Sequence, residues 1–260
     1  YKGRGERFMS SQTLLDSDLG KLILMNFDEV SANTFGHLIE ASAAIRSRVE
    51  GAGGQVRYTA YGYHGTEILI EGAYTWQTYT NYTQGFAKMR LERIAQAAWT
   101  KGVKATVYNC PEIRTNSSDI FAGVELPLVP LLKALHKEGG GAWAQAQWRA
   151  SSSLLADGIS MDDLMGKVDA FHASEVMRPF RNFDAWPMSN APAQAELTIR
   201  TSDEVQKMHK DPKALITDLL SALVIEATGP LMLGESAAPA GPVLWLNHDI
   251  IARQLNRLHA

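Results

Sequence analysis

Between Gln55 and Trp76 the chain reads QVRYTAYGYHGTEILIEGAYTW, two runs that alternate in polarity residue by residue around a bend containing Gly62 and Gly65. Period-two alternation is what a strand with one buried face shows, and two such runs about a glycine bend predict a long, projecting β-hairpin over 55–76. Val56, Tyr58 and Ala60 share one face of the first run, and Ile68 and Ile70 mark a face of the second. On this reading the glycines supply the backbone freedom for the bend, and His64 rides on the tip, exposed or against a neighbouring subunit.

Around the hairpin, helix and strand patterns interleave. KLILMNF (Lys21–Phe27) has the length and apolarity of a strand, and the following segment places Leu38, Ala41, Ile45 and Val49 at helical spacing until Gly51–Gly54 stop it. The stretch ending at Gly102 brings Phe86, Met89, Ile94, Ala97 and Ala98 onto an apolar stripe, and VKATVYNC resumes as a strand. LPLVPLLKALHKEG is helical after Pro130, GGAWAQAQWRA alternates like a strand, and Asp162 and Asp163 open a helix. Asp211 and Pro212 precede the helix whose buried face is Leu215, Leu219 and Leu223, and Asn247 or Asp249 caps a closing helix with Ile251, Leu255 and Leu258 inward. The fold class expected is α+β, a mixed sheet with covering helices and the projecting hairpin. Its parts are an extended N-terminal arm (1–20), an α/β core (21–180) and a C-terminal α/β segment (181–260) behind the Pro- and Asn-rich stretch near 180–190.

A formal net charge of -3 carries no basic footprint for nucleic acid, and 45% hydrophobic residues suffice for a sizeable core. The single cysteine, Cys110, closes no intramolecular disulfide and suits a reducing compartment. Without an apolar run of about 18 residues or a visible signal peptide, no membrane partner is expected. The seven histidines are dispersed, so no metal is expected, and GAGG at Gly51–Gly54 ends a helix rather than opening one, the wrong geometry for a phosphate cradle. The sequons at Asn81 and Asn116 carry weight only in a secreted chain, and Glu67 and Glu71 read as a solvated hairpin face.

Three resemblances compete for the function. YHGT, Tyr63 to Thr66, resembles the strand-end motif of diphtheria-like ADP-ribosyltransferases. That resemblance implies NAD as cofactor, with His64 on the ribose, the Gly65 amide on the nicotinamide, Thr66 completing the motif, and Tyr74, Tyr79 and Tyr82 available for stacking. The family also requires a helix after the motif and a glutamate on a later strand, whereas TEILIEGAYTW continues as strand and Glu226 falls in a helical pattern. His64 followed by Gly65, with Cys110 ending the next strand, is similar to caspase-like Cys-His hydrolases, in which an imidazole activates the thiolate. The segment Asp218–Ala260, taken with the arm, the hairpin and the helix at 84–101, looks like the capsid-forming fold of tailed phages.

Since no convergent acid, base and nucleophile can be assembled from the residues, the preferred expectation is a structural, self-assembling protein rather than an enzyme. It is a homo-oligomeric capsid-like or virion shell subunit, cytoplasmic or in the virion. Copies of itself associate through the arm and the hairpin, and neither catalytic residues nor a cofactor are needed. The enzyme alternatives are the NAD-using transferase built on His64, Gly65 and Thr66, and the hydrolase that adds Cys110.

Overall fold

In the computed structural model, which describes residues 16–62, 64–78, 83–115, 122–181 and 192–260, the alternating stretch forms strands β1 (Arg57–Gly62), β2 (Gly65–Ile70) and β3 (Ala73–Thr78). β1 and β2 do not pair with each other. β1 runs parallel to β4 (Lys104–Asn109), and β4 runs parallel to β5 (Val243–Trp245), so one sheet has the order β1-β4-β5. The hairpin is β2–β3, with Gly65 opposite Thr78 and a turn at Glu71 and Gly72, whose φ angles are 50° and 82°. The single hairpin expected over 55–76 is therefore corrected. Its supposed tip is the link by which the chain leaves one sheet for the other. β4 is buried along five of its six residues, the profile of a central strand covered on both faces, and it takes β1 as its neighbour.

Two strand expectations become helices. KLILMNF lies in α1 (Asp18–Phe27), whose first turn is capped where Ser17 Oγ accepts from the Gly20 N–H at 3.0 Å. A seven-residue apolar run is as compatible with a helix as with a strand, and the serine decides it. GGAWAQAQWRA lies largely in α7 (Ala142–Ser152), where the good helix formers Ala, Gln and Arg outweigh the alternation.

α1 passes through a π-helical turn, Asp28–Asn33, into α2 (Thr34–Ala41), and α3 (Ala43–Gly51) follows. Together with α4 (Thr83–Thr100) these helices enclose a small core in which Ala32, Phe35 and Ile39 meet Tyr58, Leu91, Ala95, Ala105 and Val107. The inward face of α4 is Ala87, Leu91, Ala95 and Ala98, rotated from the stripe expected through Met89 and Ile94.

The larger core is built by α5 (Glu125–Leu128), α6 (Leu131–Glu138), α7, α8 (Met161–Ala173), α9 (Pro192–Lys207), α10 (Ile216–Ala237) and α11 (His248–Leu258), with Leu69 and Tyr108 contributed by the strands. Adjacent residues Val107 and Tyr108 thus serve opposite cores, as the pleat requires. α8 starts at a capping box between Ser160 and Asp163, matching the expected helix start. α10 starts later than expected: Asp211 Oδ1 closes a local turn on the Lys213 N–H, and the helix begins where Asp218 Oδ2 accepts from the Leu215 N–H. Among the described residues α10 alone is long and apolar enough to cross a membrane, and its Leu220, Leu223, Val224 and Ala227 lie inside the larger core. The fold is α+β, with helices packed on both faces of the sheet at its central strand β4. Residues 1–15 of the expected arm lie outside the described residues, as do Tyr63, Tyr79, Tyr82, Asn81 and Asn116.

Candidate functional site

Register aligns Gly62, Asn109 and Trp245 across the sheet, so the carboxyl ends of all three parallel strands finish side by side. That edge is where open parallel sheets receive ligands, because the strand ends and the turns that follow them converge there. In this chain the edge carries a buried polar network. The Asn109 Oδ1 atom accepts the backbone N–H of His64 at 3.0 Å, and Asn109 Nδ2 donates to Glu92 Oε1 at 2.8 Å. His64 Nδ1 lies 3.0 and 2.9 Å from the two Glu92 oxygens. A carboxylate only accepts, so this contact puts the ring proton on Nδ1.

The geometry of α4 supplies the glutamate. Glu92 sits one position along from the inward Leu91, which turns it toward the strand ends, and Lys88 is one turn earlier on the same flank. Lys88 Nζ donates to the Tyr61 carbonyl at 3.2 Å, on the penultimate residue of β1. Burial pushes the Lys88 ammonium below the ordinary lysine value. Gly62 is required for close approach: a Cβ there would come within 2.2 Å of Asn109 Oδ1 and 2.6 Å of Val107 Cγ1.

Indoles close the edge from the other side. The Trp76 ring on β3 lies 5.7 Å from the His64 ring at 89°, Trp245 lies 5.8 Å from it, and the two indoles are 5.1 Å apart at 85°. Asn247 stands at the N-cap position of α11 as expected, but its side chain grips the hairpin rather than the helix: its Oδ1 accepts the Glu67 N–H at 2.9 Å and its Nδ2 donates to Glu67 Oε2 at 3.0 Å. Glu67, expected on a solvated face, is part of this clamp.

His64 is only 2% exposed, not a tip residue. Gly65 has φ 131°, a conformation reserved for glycine. Gly65 and Thr66 line a small internal cavity of about 10 Å³ with Gln77, Cys110, Glu112 and His248, room for about one water. His64 is directed to Glu92 rather than to the cysteine, and burial pushes the Cys110 thiol up to about 12. A Cys-His hydrolase needs a thiolate, so that alternative is corrected. A separate cleft of about 520 Å³ opens between α6 and α7, lined by Lys133, His136, Gln145, Trp148 and Arg149. Among the described residues no group of three metal-ligating side chains forms. Sequence reasoning passed over Lys88, Glu92 and Asn109. The available signal was a Lys and a Glu four residues apart beside the buried stripe of α4.

The family model described as enoyl-acyl carrier protein reductase FabMG matches residues 1–255. A solved structure described as apo FabMG, a novel type of enoyl-acyl carrier protein reductase, is 70% identical with a TM-score of 0.95, covering 100% of this chain and 59% of that one. A second, described as NADH-bound FabMG, is 64% identical with a TM-score of 0.85, covering 100% and 63%. This chain thus spans about three-fifths of the length of those solved chains. No curated protein sequence matches it. These likenesses run the length of the chain and overturn the expectation of a structural capsid or virion subunit, which rested on Asp218–Ala260, and that of an ADP-ribosyltransferase, which rested on four residues. They likewise correct the leaning away from an enzyme. The expectation of no cofactor yields to a relative described with NADH bound.

Proposed function

Because the chain belongs to the enoyl-acyl carrier protein reductase FabMG family, we propose that it forms the reducing half of an NADH-dependent enoyl thioester reductase, working at the carboxyl ends of β1, β4 and β5. The observation that carries this reading is the Lys88 ammonium held at the end of β1 by its hydrogen bond to the Tyr61 carbonyl, with its proton affinity lowered by desolvation.

The residues present fit one end of such a cofactor. Among the described turns only β5 to α11 leads from a parallel strand straight into a helix, and it holds no glycine and is closed by the Asn247–Glu67 clamp. A dinucleotide pyrophosphate has no glycine-rich cradle there. The fit is to the nicotinamide and acyl end, with Lys88 Nζ as the group to hold it. When bound, NADH supplies the hydride that adds to the β-carbon of the conjugated double bond. The protein must then stabilise negative charge on the thioester oxygen and see a proton delivered to the α-carbon. Lys88 Nζ keeps N–H donors beyond the one given to the Tyr61 carbonyl, and its lowered proton affinity suits donation toward that oxygen. His64, Glu92 and Asn109 act as positioning residues, fixing the turn after β1 against the end of β4. Trp76 and Trp245 keep water from the strand ends.

A cytoplasmic setting agrees with the protonated, buried Cys110. Self-association is part of the proposal, with residues 1–15 of the expected arm as its route, since 18–20 belong to α1, and light scattering of full-length protein with and without residues 1–15 checks that route. The test of function is oxidation of NADH by full-length protein given a short trans-2-enoyl thioester, with the product two mass units heavier. NADH consumption without acyl reduction, or none at all, overturns the reading.

A further inference from the structure

The two edges of the parallel sheet are unlike. β5 pairs over only three residues, a short edge of the kind natural sheets leave exposed safely. β1 pairs with β4 over six residues, and its RYTAYG sequence has no proline or lysine to discourage a further strand. Among the described residues no strand lies on its outer side. All-parallel sheets are ordinarily interior structures covered on both faces, yet Arg57, Thr59 and Tyr61 of β1 are exposed. The helices around the smaller core also present apolar side chains outward, α2 and α3 meeting β1 at Tyr58 and α1 packing on α4: Leu19, Leu22 and Met25 on α1, Leu38 on α2 and Ile45 on α3 are each more than half exposed. Such a surface marks an interface.

The occupant follows from length. About two-fifths of the 70%-identical solved chain lies outside the match. We infer that the outer edge of β1 is the seam to the rest of the full-length protein, which adds a strand parallel to β1 and packs helices on the exposed apolar faces of α1 to α3. The addition moves β1 from the rim of the sheet to its interior, and Lys88 from a border to a crevice between strands. The missing pyrophosphate cradle then belongs to the added part. This rests on family membership and chain length, not on the reductase reading, and neither readout below depends on turnover.

Hydrogen exchange on full-length protein is the test. The amides of residues 57–62 are expected to exchange within about tenfold of those of 104–109, as for two interior strands. Exchange about a hundredfold faster in 57–62 would overturn the proposal. Protection that fades on dilution would overturn it too, since it would assign the edge to a second copy. As an independent check, a cysteine at Leu22 (Leu22→Cys) is expected to react with a soluble maleimide far more slowly than one at the exposed Leu258 (Leu258→Cys). Equal rates would remove the helix-face part of the proposal.

Discussion

His64 Nδ1 and Glu92 Oε2 stand 2.9 Å apart with side-chain exposures of 2% and 6%, an imidazole and a carboxylate sealed beneath the carboxyl edge of the sheet. Removing either leaves the other buried with a broken contact, which costs about 3 to 5 kcal/mol in comparable pairs. His64→Ala is therefore expected to lower stability on the order of 3 kcal/mol, not the few tenths expected for a hairpin tip. Chemical denaturation of His64→Ala, Glu92→Ala and the double variant checks this, and the double variant should lose less than the sum of the singles.

Gly62→Ala should be costly although it adds one methyl. The Cβ would meet Asn109 Oδ1 at 2.2 Å, and Asn109 holds both His64 and Glu92. A loss of about 1–3 kcal/mol is expected, as for other overpacked interiors. Thermal melting of Gly62→Ala beside Gly36→Ala, where the nearest atom is 3.7 Å away, gives the comparison.

Lys88→Met should leave the fold intact and remove about two orders of magnitude or more of the reductase rate, the scale of losing one oriented donor. Because burial lowers the lysine's proton affinity, the rate should fall on the alkaline side at a pH below the ordinary lysine value of 10.5. The measurement is the pH profile of kcat in full-length protein, alongside its melting temperature. A Lys88→Met enzyme of normal rate would leave the site without its donor.

Acid should unfold the chain through two buried histidines. Burial pushes His172 down to about 4 and His248 down to about 3, while both return to about 6.5 when unfolded. Between these values the unfolded state binds more protons, so stability is complete above about pH 6.5 and is lost as pH falls toward 4. For His172 alone the span corresponds to about 3 kcal/mol. Urea denaturation at pH 7 and pH 5 of the native chain and His172→Gln shows whether the variant flattens the slope.

Cys110 should behave as an inert thiol. With its pKa raised to about 12 from 9.0, its thiolate fraction at neutral pH is roughly a thousandfold below that of a free cysteine. Iodoacetamide labelling of native and urea-unfolded protein is the check, with rapid native labelling as the contrary outcome.

Much of the fold was legible where local chemistry decides it, as at Ser160 and Asp163, which open α8, or Gly65, whose φ of 131° only glycine holds easily. Pairing was not. The alternation in Gln55–Trp76 specifies strands but not partners, and β1 found β4 across intervening sequence. The stripe of α11 was legible in phase, with Ile251 and Leu255 buried as expected, but that of α4 was legible in period only, and its rotation by one position is what turned Lys88 and Glu92 inward. His64 stood out in the sequence while its partners did not, since a Glu in a charged helix reads as solvated until the strand ends arrive beside it. Asn247 shows the same limit: local rules made it a helix cap, and tertiary contact with Glu67 claimed its side chain.

The β4–β5 pairing has a consequence for synthesis. Val107 and Val243 are register neighbours although more than a hundred residues separate them along the chain. When β4 leaves the ribosome its flank toward β5 has no partner, and it stays open until Val243–Trp245 has been translated. The entropy of closing so long a loop grows only with the logarithm of its length, so the delay is one of time rather than of free energy. During that interval the exposed flank of Ala105–Asn109 is the nascent chain's point of danger, and a chaperone that shields it early should raise yield more than one that acts after release.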